Sequence, residues 1–286
     1  MDKVVQKNII ASYQTSGGFV VHSPEMLKKI YKALCINPGA LDSRIYELEG
    51  ITHFFQRGVI ALADRIGITE DDYVLNPGEG SGAPSRLLAK LFKCRVSGID
   101  INPQQIVKAE ELAVLHGVQN KVEYYKGDVS DFSLAKRDFT KAFVNETCVH
   151  WQRKETAFMN ICRHLVKGAK IGLNLWLKGY EGTLNDAYDF MPEFRSLYKK
   201  GIWFQESLDA YKGIMESAGF SVCYMNDCTD KIDVKIRARL LAKKQWEIYE
   251  DVMGADVKKR GVDYYKGMLK THYRFLRYGV LVAEKI

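Results

Sequence analysis

The sequence predicts an α/β fold built on a doubly wound, mainly parallel sheet, and three observations carry that prediction. The apolar run Val74-Leu75 breaks into Asn76-Pro77-Gly78-Glu79-Gly80-Ser81-Gly82, a G-x-G-x-G turn, and then into a helix from Pro84. A second apolar run, Arg95–Ile99, ends in Asp100, 18 residues past the last glycine. From Tyr73 onward, strand-like and helix-like segments alternate, the pattern of βαβ units. Glycine lets the turn take positive φ and lets a ligand lie against bare backbone. A carboxylate at the tip of the second strand can accept hydrogen bonds from both ribose hydroxyls. The two features together point to a nucleoside-containing ligand.

Taken in order, residues 1–70 read as a helical cap ahead of the sheet, with Pro24–Leu34 and Ser43–Ile66 its clearest helices. Ser23 followed by Pro24 is an N-cap with proline at the first helical position. Ile45, Leu48, Ile51, Phe54 and Phe55 recur at helical spacing, with Gly50 interrupting them. Residues 71–286 form the ligand-binding domain. Its predicted strands are Tyr73–Asn76, Arg95–Ile99, Val122–Tyr125, Lys141–Asn145 and Ala169–Trp176. The helices between them are Pro84–Phe92, Pro103–His116 and Lys154–Leu165. The central strands are continuous apolar runs, as strands covered on both faces should be. Right-handed crossovers then bring Asn76, Asp100 and Asn145 to one sheet edge.

Residues 177–205 form an insertion rich in aromatic residues, among them Tyr180, Tyr188, Trp203 and Phe204. Those side chains either cover a substrate or pack the insertion onto the core. A helix at Ser207–Ser217, a strand at Phe220–Met225, basic helices at Lys231–Met253 and Asp263–Leu276, and a final strand at Tyr278–Ala283 complete the reading.

Composition narrows the function. A 286-residue chain with 47% hydrophobic residues can build a sizeable core. No apolar run is long enough for a membrane span and no signal-peptide core follows Met1, so a cytoplasmic protein without membrane association is expected. The six cysteines lack metal-site spacing, which predicts reduced thiols and no metal. Odd spacing along a strand would put Cys223 and Cys228 on opposite faces. The net charge of +7 lies in the segment from Lys231, which holds 14 Lys and Arg against 7 Asp and Glu. Lys235, Arg237, Arg239, Lys243 and Lys244 opposite Ile236, Leu240 and Leu241 read as a solvated amphipathic helix. An anionic partner is the other reading of the same charge.

The glycine spacing separates cofactors. Nicotinamide and flavin fingerprints run G-x-G-x-x-G, and here the third glycine arrives one position early. The turn resembles the first motif of the class I S-adenosylmethionine (SAM)-dependent methyltransferases, hydrophobic-hydrophobic-acid-x-G-x-G-x-G. Gly98-Ile99-Asp100-Ile101-Asn102 resembles that family's ribose-binding strand end, and Gly127-Asp128-Val129 its adenine-binding segment. Ala142–Glu146 is similar to its fourth strand, and Leu165–Ile171 to the turn into its fifth. The resemblance implies a Rossmann-like seven-stranded sheet of order 3-2-1-4-5-7-6, with SAM as cofactor and S-adenosylhomocysteine as product. It implies cofactor contacts at Asn76, Gly78, Gly80, Gly82, Asp100, Ile101, Asp128, Val129 and Asn145. Where the family carries an acid, this chain has Asn76, which accepts a hydrogen bond but brings no charge. Glu79 reads as an exposed turn residue, with supply of the missing charge as the alternative.

The segment Asn145-Glu146-Thr147-Cys148-Val149-His150-Trp151 resembles the E-S-x-x-H segment of tocopherol and sugar O-methyltransferases. That likeness makes His150 the candidate base, with Glu146 as a catalytic or orienting carboxylate. Thr147, Trp151, Trp176 and Tyr180 are candidate substrate contacts. A packed histidine is the plain alternative for His150. The tail, with Ala218-Gly219-Phe220 and Tyr278-Gly279-Val280, resembles phosphoethanolamine and sarcosine/dimethylglycine N-methyltransferases. The expectation is methyl transfer to a small molecule, with an aromatic hydroxyl or heterocycle (O- or N-methylation) marginally favoured. The alternatives are an RNA or protein methyltransferase using the basic region, and a non-catalytic SAM-binding protein. Nucleic acid is not expected as a partner, and residues 1–70 could serve as a lid, a homodimer surface or both.

Overall fold

The computed structural model describes residues 1–14, 23–42, 45, 48, 49, 54–135, 138–192, 195, 199–243, 246, 247, 250, 251 and 254–286. Among them, seven strands form one sheet: β1 (Tyr73–Pro77), β2 (Arg95–Asp100), β3 (Val122–Lys126), β4 (Phe139–Asn145), β5 (Leu165–Lys178), β6 (Phe220–Asp227) and β7 (Leu276–Lys285). Their order is β3-β2-β1-β4-β5-β7-β6, with β7 antiparallel to both neighbours. This is the order implied by the family resemblance. The parallel registers align Asn76 with Gly98, and Asn145 with Asn174, so the strand ends share one edge.

Alternation along the strands builds two layers. Val74, Val96 and Phe143 pack with Leu62, Ile66, Leu88 and Ala113 on one face. Leu75, Ala142, Val144, Ile171 and Leu173 pack with Phe158, Ile161, Tyr211 and Met215 on the other. Side chains of neighbouring strand residues point to opposite faces, so a strand buried on both faces reads as a continuous apolar run.

The helices are α1 (Lys3–Gln14), α2 (Pro24–Ala33), α3 (Phe55–Ile66), α4 (Ala83–Leu91), α5 (Pro103–Leu115), α6 (Lys154–His164), α7 (Leu184–Ala187), α8 (Leu208–Ser217), α9 (Thr229–Leu241) and α10 (Ala255–Thr271). Ser23 caps α2, its hydroxyl accepting the Met26 N–H at 3.2 Å. Part of the expected Ser43–Ile66 helix lies outside the described residues. Its described end, α3, lies on the sheet: any Cβ at Gly172 of β5 would fall 2.8 Å from Leu62. That helix, expected within the N-terminal cap, packs against the sheet as one layer of the sandwich.

A third core sits over the ligand edge and joins both ends of the chain. Leu27, Ile30 and Tyr31 of α2 share it with Ile232 and Ile236 of α9, Tyr264 and Met268 of α10, and Trp203. The basic segment is therefore structural on its apolar side. Leu241, expected on that side, is exposed, and Arg239 is buried. The last basic helix was expected at Asp263–Leu276; it begins at Ala255 and stops at Thr271. A turn with Tyr273 at φ 65° then leads into β7 at Leu276. No described helix is long and apolar enough to cross a membrane.

Candidate active site

The glycine turn is stitched to the end of β2. The N–H groups of Gly78 and Glu79 both donate to the Ile99 carbonyl, at 2.7 and 3.0 Å. Gly78 has φ 79°, and a Cβ there would collide with Thr147. The Gly80 N–H donates to Asp100 Oδ2 at 2.8 Å, and the Asn102 N–H to Oδ1 at 2.8 Å. Burial raises the pKa of the Asp100 carboxyl in spite of these donors. Asp128 Oδ1 accepts the Ser130 N–H at 2.9 Å and its hydroxyl at 2.6 Å. Asn145 Oδ1 accepts from Asn174 Nδ2 at 2.8 Å.

After β4 the chain turns sharply at Glu146, whose φ is 60°. Its carboxylate accepts the Phe54 N–H at 3.1 Å and the Trp176 indole N–H at 2.7 Å. The short turn Cys148–His150 follows. His150 is buried, and its Nδ1 lies 2.8 Å from the Ile202 carbonyl. A carbonyl only accepts, so Nδ1 carries the proton. Nε2 is then the acceptor for the Tyr13 hydroxyl at 2.7 Å. Burial lowers the His150 pKa to about 4, leaving the ring neutral at physiological pH. Residues 202–204 brace this turn, with the Phe204 N–H donating to Val149 O at 2.6 Å and Lys154 Nζ donating to Phe204 O.

These groups enclose one cavity of about 1280 Å³ including its mouth, lined by Gly78, Gly80, Asp100, Ile101, Asp128, Val129, Asn145, Glu146, Thr147, His150, Trp151 and Trp176. Asn76 and Gly82 are not in the lining. Asn76 is buried beneath the turn, donating to Ser85 Oγ at 3.1 Å. Gly82 is the N-cap of α4, where a Cβ would meet Arg86, Tyr124 and Ala109.

Tyr180 is 72% exposed, with the Arg277 guanidinium 4.3 Å from its ring centre, so it is no part of this cavity. No described residue of 177–205 lines it either; Met1, Ile9, Ile10 and Tyr13, at the start of the chain and along α1, do. The aromatic Trp203 packs in the third core instead.

Sequence reasoning missed two participants, Tyr13 and Glu49, and misjudged the burial of a third, Glu79. Tyr13 lies 137 residues from His150, and an isolated tyrosine at helical spacing carries no local signal of its partner. Glu79, expected to be exposed, is only 3% exposed. Glu49, also in the lining, is buried with Arg86, His116 and Tyr31. Burial alone would raise its pKa, but Arg86, His116 and Tyr31 together carry it down to about 2. The Arg86 guanidinium also donates to the Ser81 carbonyl at 2.5 Å, tying this ion pair to the glycine turn.

Residues 74–168 match the family described as "Methyltransferase domain". These residues are a methyltransferase domain. The sheet order and the glycine turn are those of the class I, SAM-dependent type. The sterol 24-C-methyltransferase of Saccharomyces cerevisiae is 28% identical over 197 residues, 67% of this chain and 50% of that protein. The chain thus spans about half the length of such relatives. In fold, the domain resembles Haemonchus contortus phosphoethanolamine N-methyltransferase 2, solved with phosphomonomethylethanolamine and S-adenosylhomocysteine. That match has a TM-score of 0.72 and 16% identity, covering 91% of this chain and 56% of the other. Geranyl diphosphate C-methyltransferase from Streptomyces coelicolor matches with a TM-score of 0.67 and 14% identity, over 100% and 99% of the two chains.

The residues present in the methyltransferase domain fit SAM. A Cβ at Gly80 would meet no atom within 4 Å, so this lining position leaves bare backbone for a ligand. Asp100 retains lone pairs beyond the two its N–H donors occupy.

Proposed function

We propose that this protein transfers the methyl group of SAM to a carbon of a small apolar acceptor of the isoprenoid alkene class. The observation that carries the reading is the buried Glu146 carboxylate, fixed by Trp176 and Phe54 in a wall that also holds Trp151 and Tyr13. Bound SAM supplies an activated methyl group on a sulfonium leaving group. An alkene needs no base before it attacks, but it becomes cationic as the new C–C bond forms. A fixed carboxylate and aromatic faces in a water-poor cavity stabilise that charge. Loss of a proton from a neighbouring carbon then restores the alkene, and Glu146 is the anion placed to take it. Asp100 holds the nucleoside, and Gly78 and Gly80 let it lie on backbone.

The sterol homologue and the geranyl diphosphate neighbour in fold are named as C-methyltransferases, which supports this reading. An aromatic hydroxyl acceptor would need a base with a free lone pair. His150 Nε2 is engaged by Tyr13, and its low pKa makes it a weak proton acceptor.

Protein incubated with methyl-labelled SAM and an isoprenoid alkene panel, including a side-chain-unsaturated sterol and geranyl diphosphate, tests the proposal. Label is expected in a product with one added methyl on carbon. Label on oxygen or nitrogen, or in an RNA or protein fraction of a host extract, would overturn the acceptor class. Binding of SAM with no transfer to any fraction would favour the non-catalytic reading.

A further inference from the structure

Five carboxylates line the cavity among the described residues: Glu49, Glu79, Asp100, Asp128 and Glu146. Four of them accept from two or more different residues. Glu79 is held by one residue, Ser85, through its N–H at 3.4 Å and its hydroxyl. That hydroxyl in turn accepts from Asn76 Nδ2, giving a chain Asn76 to Ser85 to Glu79. The Glu79 carboxylate lies against Gly98 of β2, where any Cβ would strike it. The nearby Arg86 guanidinium is already paired with Glu49. A buried carboxylate without its own counter-ion needs one to stay charged.

We propose that Glu79 supplies the negative charge that answers the cationic part of SAM, doing so in place of the acid absent at position 76. The proposal rests on the reading of this cavity as a SAM site. Without ligand, burial raises Glu79 to about 8, opposed by Ser85 and Arg86 and reinforced by Asp100. The charged and titratable groups facing it are Arg86 on α4, Asp100 on β2 and the Tyr124 hydroxyl on β3. An arriving cation takes the place of the missing counter-ion, and the carboxyl proton leaves to solvent. Binding therefore releases protons near neutral pH, and affinity rises with pH by at most about tenfold per unit.

Calorimetry with SAM and with neutral 5′-methylthioadenosine, at about pH 6 and pH 8, tests this on the full chain. In wild type, titrations in buffers of different ionisation enthalpy should reveal proton release with SAM and not with the neutral nucleoside. Glu79→Gln should lower SAM affinity by about tenfold or more at the higher pH, the scale of one lost charged contact. It should leave methylthioadenosine within about twofold and flatten the pH dependence. Adding Asn76→Asp reverses the hydrogen-bond chain and should restore SAM affinity. In that double variant the introduced carboxamide donates to Ser85, and Ser85 donates to the introduced carboxylate. Equal losses for both ligands, unchanged SAM affinity in Glu79→Gln, no proton release in wild type, or a double variant as weak as the single one would each overturn the proposal. A wild-type protein that binds neither nucleoside would instead sink the SAM reading itself.

Discussion

Asp100 receives the N–H groups of Gly80 and Asn102, so one carboxylate both shapes the glycine turn and presents acceptors to the cavity. Asp100→Ala should weaken SAM binding by about tenfold or more, the scale of losing charged hydrogen bonds of about 1.5–3 kcal/mol. Unchanged affinity by calorimetry would remove the ribose role. His150 makes a prediction of the opposite kind. Its folded pKa is depressed to about 4, so it gains a proton only far below neutrality. At saturating SAM, no limb near the ordinary histidine pKa of about 6.5 should appear in the transfer rate. A limb there, abolished in His150→Gln, would return His150 to the role of base.

Among the elements, α1 and the glycine turn decide how the cavity closes. Tyr13 on α1 contacts His150, and the Glu49–Arg86 pair holds the Ser81 carbonyl. Both partners of that pair are buried. Glu49→Ala leaves Arg86 as an uncompensated buried charge, at about 3–5 kcal/mol by the usual measure. A fall in melting temperature on the order of 10 °C should follow. A shift within about 2 °C would mean that water reaches Arg86 and solvates it.

For the whole molecule, Glu79 and His150 bend stability in opposite directions with pH. Glu79 is raised from 4.5 to about 8 on folding, so its favourable contribution is fully present below 4.5 and is lost as pH rises through 8. His150 is lowered from 6.5 to about 4, so its contribution is present above 6.5 and lost as pH falls through 4. Between 4.5 and 6.5 the two trends offset each other. Glu79→Gln should therefore melt several degrees higher than wild type near pH 8 and about equally near pH 5. Equal melting at both would mean that Glu79 keeps its proton, or its charge, throughout.

What the sequence determined by itself was the sheet and the edge where the glycine turn and Asp100 line the cavity. The strands from Tyr73 to Trp176, the glycine turn and Asp100 are encoded by local runs whose periodicity and turn residues are read within a few neighbours. The site residues misjudged, Asn76, Gly82, Glu79 and Tyr180, turn on burial and packing, which depend on what the rest of the chain places around a turn or a loop. The last basic helix stops at Thr271, and the next residue, His272, is hydrogen-bonded to Asp233 of α9 and Tyr278 of β7, partners far away or on another element. The pairing of α1 with His150, the neutral state of that ring, and the joining of both chain ends in one core over the ligand edge were decided by tertiary structure. They arise between residues far apart in the chain, where solvent exclusion and packing leave no trace in local spacing.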